Sequence, residues 1–174
     1  MLKTPSLRFS LGNDGVTFMD GIAGTQTFSP ASSGDFVVRR ADGLYSYQLA
    51  VTVDDALMGI TDVLRGDDLL DSTPRQLWLY DALALNTPSF SHVPLIYGED
   101  GHRLAKRHGD LGITTLRSSG AKPEQVVGWL AYISGLIDRP EPVAAADLVS
   151  GFTLESISRE PFVLTDTMIQ KLLA

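Results

Sequence analysis

The chain has 174 residues, a formal net charge of −7, 44% apolar and 20% charged residues, and no cysteine. That length suits one domain or a domain with a small appendage, and the mix excludes intrinsic disorder. The acidic balance excludes a broad nucleic-acid-binding surface, and the missing cysteine excludes disulfides and thiolate metal ligands.

In chain order, LRFSL (7–11) alternates apolar and polar residues, and GNDGVTFMD (12–20) gives turn signals followed by a second short strand. PASSGD (30–35) reads as a loop, FVVRR (36–40) as a strand and ADG (41–43) as its turn. YSYQLAVTVDD (45–55), rich in aromatic and β-branched residues, predicts a further strand, and DDALMG (54–59) a single turn. ITDVLRG (60–66) predicts a buried strand. The clearest helix follows, with Thr73 as cap, Pro74 at the first helical position, Gln76 completing a capping box, and Asn86, Thr87 and Pro88 ending it. LWLYDALAL (77–85) is apolar nearly all round, so this helix should be buried on most faces. HVPLIYG (92–98) predicts another buried strand. Strands joined through a helix imply parallel strands in an α/β layer arrangement. From residue 112 the pattern turns helical: TTLRSSG (114–120) stopped by Gly120, a helix from Pro123, a linker at RPEP (139–142), and short helices in AAADLVSGF (144–152) and TDTMIQKLLA (165–174). The expected division is an α/β part, 1–111, and a helical segment, 112–174.

Ligands of open parallel sheets sit at the carboxyl ends of the strands. Arg65 follows one such strand, and GHRLAKRHGD (101–110) follows another. That stretch holds three of the chain's fourteen Lys and Arg residues and two of its three histidines. The two strand ends together predict an anion pocket. Neither GxGxxG nor GxxxxGK[ST] occurs, so phosphate would be held by side-chain charge rather than by a glycine cradle. Taken singly, each residue has a plainer reading. Lys106 is a solvated lysine, Arg65 pairs with the aspartates of RGDD, Tyr47, Trp78 and Trp129 are core, and His92 is structural. Asp54 and Asp55 could be catalytic carboxylates, with capping of the next turn as the simpler role. His102 and His108 are too few for a metal site.

Taken as an ordered set, GDFVVRRADGLYSYQLAVTVDDALMGITDVLRGDDLLDSTPRQLWLYDAL and HVPLIYGEDGHRLAKRHGD resemble the second half of a class I glutamyl-tRNA synthetase catalytic domain, from about Gly34 to Leu136. Within that family the likeness leans toward the short paralogue, glutamyl-Q tRNA(Asp) synthetase. The resemblance implies a Rossmann-like nucleotide-binding fold, and RLAKR (103–107) resembles its KMSKS signature. It implies that Lys106 and Arg103 act on ATP phosphates, and that Leu95, Ile96 and Asp68 lie near the nucleotide. Tyr47 and Arg65 would line the glutamate pocket. The substrates implied are ATP with Mg2+, glutamate and tRNA, in a cytoplasmic setting with no membrane partner and no zinc site in this chain. The 174 residues contain no HIGH signature and no Cys-containing zinc segment, and Ala105 stands where the signature carries serine. The expectation is therefore a chain that does not complete the reaction alone. The alternatives are a non-catalytic nucleotide-binding or protein-interaction module, or one half of a split enzyme. A second chain, or a second copy, would then meet an exposed sheet edge.

Overall fold

A computed structural model describes residues 5–104 and 112–173. The chain packs as two compact units, Met1–His92 and Val93–Ala174. The division expected after residue 111 falls at a residue outside the described ones.

In the first unit, β1 (Leu7–Phe9) pairs antiparallel with β4 (Phe36–Arg39), and Phe9 stacks on Phe36 with ring centroids 5.4 Å apart. A four-stranded sheet has the order β3 (Gly24–Phe28), β2 (Val16–Asp20), β6 (Ser89–Val93), β5 (Asp62–Gly66). β2 and β3 form an antiparallel hairpin, and β2 runs parallel to β6 through the Asp20–Phe90 pair. A short helix, α1 (Pro30–Ser33), leads from β3 toward β4.

The run expected as a strand at 45–55 is instead a helix, α2 (Tyr47–Met58). Its ends explain why. The Ser46 hydroxyl accepts from the Leu49 N–H at 3.4 Å, and Gly59 closes the helix at φ 68°, ψ 33°, a left-handed geometry that suits glycine. Thr52, which counts toward strand propensity, sits fully buried and donates its hydroxyl to the Gln48 carbonyl at 2.8 Å. Caps and packing override the β-branched composition.

A 3₁₀ segment, Asp67–Ser72, joins β5 to α3 (Thr73–Ala82). The expected capping box does not form: no side chain caps α3. Thr73 and Gln76 turn inward and are buried, as are Pro74, Leu79 and Tyr80. The core of this unit gathers Ile22, Phe36, Leu79, Tyr80 and Phe90.

HVPLIYG, expected as one strand, is divided. Pro94 has no N–H to donate, and β6 ends before it. In the second unit β7 (Ile96–Gly98) pairs in parallel with β8 (Phe162–Leu164), a strand the sequence pattern did not reveal. The helical character expected here is present in α4 (Ile113–Ser118), α5 (Pro123–Ile133), α6 (Ala145–Val149) and α7 (Asp166–Leu173). Gly120 takes φ 90° after α4, the stop read from the sequence. Leu116, Ala131, Leu164 and Leu172 form this unit's core. Gly128 is required for packing, because a Cβ there would lie 1.9 Å from the Glu141 carbonyl oxygen. Among the described residues no helix is long and apolar enough to cross a membrane.

Candidate functional site

The first unit builds a buried polar cluster on Arg65, the fourth residue of β5. Arg65 Nε donates to His92 Nε2 at 3.0 Å. Its Nη2 donates to Thr73 Oγ1 and to Gln76 Oε1, each at 2.9 Å. Gln76 Nε2 donates to Gln48 Oε1 at 2.8 Å, and Gln48 Nε2 to Ser72 Oγ at 3.0 Å. The guanidinium also lies over the Phe90 ring, 5.2 Å from its centroid, a cation–π contact. Strand β5, the 3₁₀ segment's exit into α3, and the inner face of α2 thus converge on one cation.

Behind His92 stands Asp20, the last residue of β2. Asp20 Oδ2 meets His92 Nδ1 at 2.5 Å, and both side chains are 0% exposed. Asp20 Oδ1 accepts three backbone N–H groups, from Ile22 at 3.0 Å, Ala23 at 2.8 Å and His92 at 3.0 Å. Burial pushes this carboxyl's pKa up, but the bonds from the His92 ring and the three backbone groups outweigh it, leaving it below the ordinary 3.8. Asp20 is therefore ionised at neutral pH. Burial pulls the Arg65 pKa below its usual 12.5, opposed by Tyr47, Asp55, Asp20 and Tyr80 nearby. Arginine remains protonated under all ordinary conditions. Burial likewise raises the Tyr80 phenol, with Asp55 adding to the rise.

Tyr47 opens α2 and is 56% exposed, so it is not the core tyrosine that composition alone suggested. It lies within electrostatic reach of Arg65. The hydrogen bonds of Arg65 go to His92, Thr73 and Gln76 rather than to the aspartates of RGDD. Asp68 is exposed on the 3₁₀ segment. Asp54 and Asp55 lie inside α2 rather than capping a following turn, and Asp55 is half-buried.

The remaining candidates belong to the second unit. Leu95 and Ile96 are half-buried there, and Ile96 lines a cavity of about 180 Å³ with Pro94, Leu130, Ile133 and Phe162. Residues 96–104 form a tight hairpin. Gly98 and His102 pair across it, Gly101 takes φ 73°, and Asp100 Oδ1 accepts the His102 N–H at 2.9 Å. Arg103 sits on this hairpin, bridged to Tyr97 and exposed. Lys106 lies outside the described residues. Among the described residues no group of three or more His, Asp or Glu side chains is arranged to hold a metal ion.

Sequence reasoning missed Asp20, Gln48, Thr73 and Gln76 as site residues and read His92 as merely structural. Asp20 and His92 are 72 positions apart, and neither has a local pattern that announces the other.

The model of class I tRNA synthetase (E and Q) catalytic domains matches residues 3–160. The chain is 60% identical over 159 residues to a glutamyl-Q tRNA(Asp) synthetase of Symbiobacterium thermophilum, covering 91% of this chain and 49% of that protein. It is 42% identical to glutamate–tRNA ligase 2 of Coxiella burnetii, covering 90% of this chain and 34% of the other. Among solved structures, a glutamate tRNA ligase of Elizabethkingia meningosepticum in complex with its amino acid superposes with a TM-score of 0.84. It is 26% identical, and the match covers 98% of this chain and 38% of that one. The chain thus spans about half the length of the first of these relatives and about a third of the second.

Proposed function

The chain belongs to the family of class I tRNA synthetase (E and Q) catalytic domains, and on that premise we propose that it carries the glutamate-recognising and ATP-handling half of a glutamate-activating site. The family's reaction joins glutamate to ATP as an adenylate, releases pyrophosphate, and passes the amino acid to tRNA. Mg2+ enters with ATP as part of that substrate.

The observation that carries the reading is the state of Arg65. Its Nε and Nη2 are committed to protein partners, while Nη1 has no hydrogen-bond partner among the described residues. A half-buried guanidinium held on one side and uncommitted on the other is suited to a ligand carboxylate. Tyr47 adds a phenol in the same electrostatic neighbourhood. In the reading proposed here, Tyr47 and Arg65 bind glutamate. Leu95, Ile96 and Asp68 attend the nucleotide, and Arg103 and Lys106 meet its phosphates, where positioned cations stabilise the charge of adenylate formation. The higher identity to the glutamyl-Q relative favours queuosine in tRNA(Asp) as the acceptor.

The ATP part is tested by a thermal shift with Mg-ATP. At about 100 times its dissociation constant a ligand stabilises by about 2.7 kcal/mol, or roughly 5–10 °C for a chain of this size. Lys106→Ala should abolish that shift; an equal shift in both proteins would remove Lys106 from the site.

We further propose that these 174 residues do not complete the reaction alone, because they contain no HIGH signature. Glutamate-dependent pyrophosphate exchange at a rate near that of a full-length relative would overturn this. A second reading, a half-enzyme or interaction module, draws on β5. It stands at one end of the four-stranded sheet, and its Leu64 is 57% exposed. That reading expects self-association or a partner chain at this edge. A pure monomer in sedimentation at tens of micromolar counts against self-association.

A further inference from the structure

The glutamate reading leaves a question open: what holds the Arg65 guanidinium at one angle? Arginine always carries its Nε proton, so the Nε–H must donate to His92 Nε2. That nitrogen must therefore be the bare acceptor, and the imidazole proton must sit on Nδ1, where it donates to Asp20 Oδ2 at 2.5 Å. A doubly protonated ring would set an N–H against an N–H, 3.0 Å apart, with two cations in contact. The neutral Nδ1–H tautomer alone satisfies every partner. Thr73 is consistent with it: its hydroxyl accepts from Arg65 Nη2 and lies 3.2 Å from His92 Nε2, to which it can donate when that nitrogen is bare, and 3.4 Å from the Leu69 carbonyl.

We infer that Asp20 and His92 are positioning residues for Arg65: the buried carboxylate fixes the imidazole tautomer, the imidazole fixes the guanidinium, and the Nη1 side is thereby left for a ligand carboxylate. This rests on the reading of Arg65 as a glutamate contact and names the groups that aim it. Neither residue touches the ligand in this account. They act through Arg65.

The arrangement makes an unusual demand on Asp20. Its two oxygens are not equivalent. Among the described residues, Oδ1 takes three backbone N–H donors and Oδ2 takes the imidazole alone. In Asp20→Asn the three donors hold the amide oxygen at the Oδ1 position, so the NH2 group must face His92 Nδ1. The ring must then accept at Nδ1 and carry its proton on Nε2. That proton points at the Arg65 Nε–H. A change of one oxygen to one nitrogen, at nearly constant volume, would turn the guanidinium away.

The test is a long-range proton–nitrogen correlation spectrum of the three histidines in the nitrogen-15-labelled chain, with glutamate and Mg-ATP titrations alongside. The wild-type chain at neutral pH should show His92 as the Nδ1–H tautomer with an unprotonated Nε2. Asp20→Asn should move the proton to Nε2 and shift the Arg65 Nε–H resonance. It should weaken glutamate roughly ten- to a hundredfold and leave Mg-ATP affinity unchanged. A wild-type ring protonated on Nε2, or on both nitrogens, overturns the inference without any variant. So does an Asp20→Asn protein that folds and keeps both the Nδ1 proton and full glutamate affinity. If the wild-type chain binds no glutamate, the functional reading fails and takes the recognition half of this inference with it, while the tautomer signals still decide the relay.

Discussion

Arg65→Ala should eliminate measurable glutamate binding and also destabilise the first unit by about 2–4 kcal/mol. The stability loss follows from what remains. Gln76 Oε1 loses its donor, and His92 Nε2 is left with the Thr73 hydroxyl alone, 3.2 Å away. Each buried acceptor left unpaired costs about 1–3 kcal/mol, reduced where water fills the vacated space. The binding loss follows from removing a charge-assisted donor, with each hydrogen bond to a charged group worth about 1.5–3 kcal/mol. Arg65→Lys separates the two effects. It keeps the charge, yet one ammonium cannot serve His92, Thr73, Gln76 and a ligand together. Urea unfolding and calorimetric titration with glutamate check both parts. Arg65→Lys should recover some stability and little affinity. Full affinity in either variant would remove Arg65 from the site.

The second large effect belongs to Asp20→Ala, which should cost about 3–5 kcal/mol at neutral pH. It leaves three backbone N–H groups and one imidazole N–H without their acceptor in the buried interior. Against a typical folding free energy of about 5–15 kcal/mol, such a loss is severe. The same carboxylate shapes the acid limb of stability. Its pKa in the folded protein lies below the ordinary 3.8. Its contribution is therefore fully present above that ordinary value and is lost as pH falls through the folded one. The difference in stability between wild type and Asp20→Ala should hold steady from pH 7 to about pH 5 and narrow below pH 4. A gap that stays constant to pH 2 would show that Asp20 is not held ionised by its partners.

These effects concern residues that the sequence showed unevenly. The order from β5 through α3 to β6 was visible, because Gly66, Pro74 and Pro88 punctuate runs of clear apolar character. The segment 45–55 was misread, since Val51, Thr52 and Val53 carry strand propensity while the decisive signals, Ser46 near its start and Gly59 beyond its end, are helix caps. β3 and β8 escaped notice. One is a polar five-residue strand and the other three residues long, too short for periodicity to register. Tyr47 was singled out through an ordered resemblance, and Arg65 through its place at a strand end as well. Asp20 was invisible for a different reason. Its role is created by the parallel pairing of β2 with β6, which brings together residues 72 positions apart. Gln76 was seen but assigned to a helix cap, the local explanation, whereas the half-buried cation claimed it.

One measurement bears on the centre of this account: titration of the chain with L-glutamate and, separately, with L-glutamine, following the Arg65 guanidinium signals by NMR. The account predicts a saturable shift of those signals with glutamate, absent with glutamine, whose side-chain amide carries no charge for Nη1 to meet. Signals that ignore glutamate, or answer both amino acids alike, would contradict the claim that Arg65 is held in place to read a side-chain carboxylate.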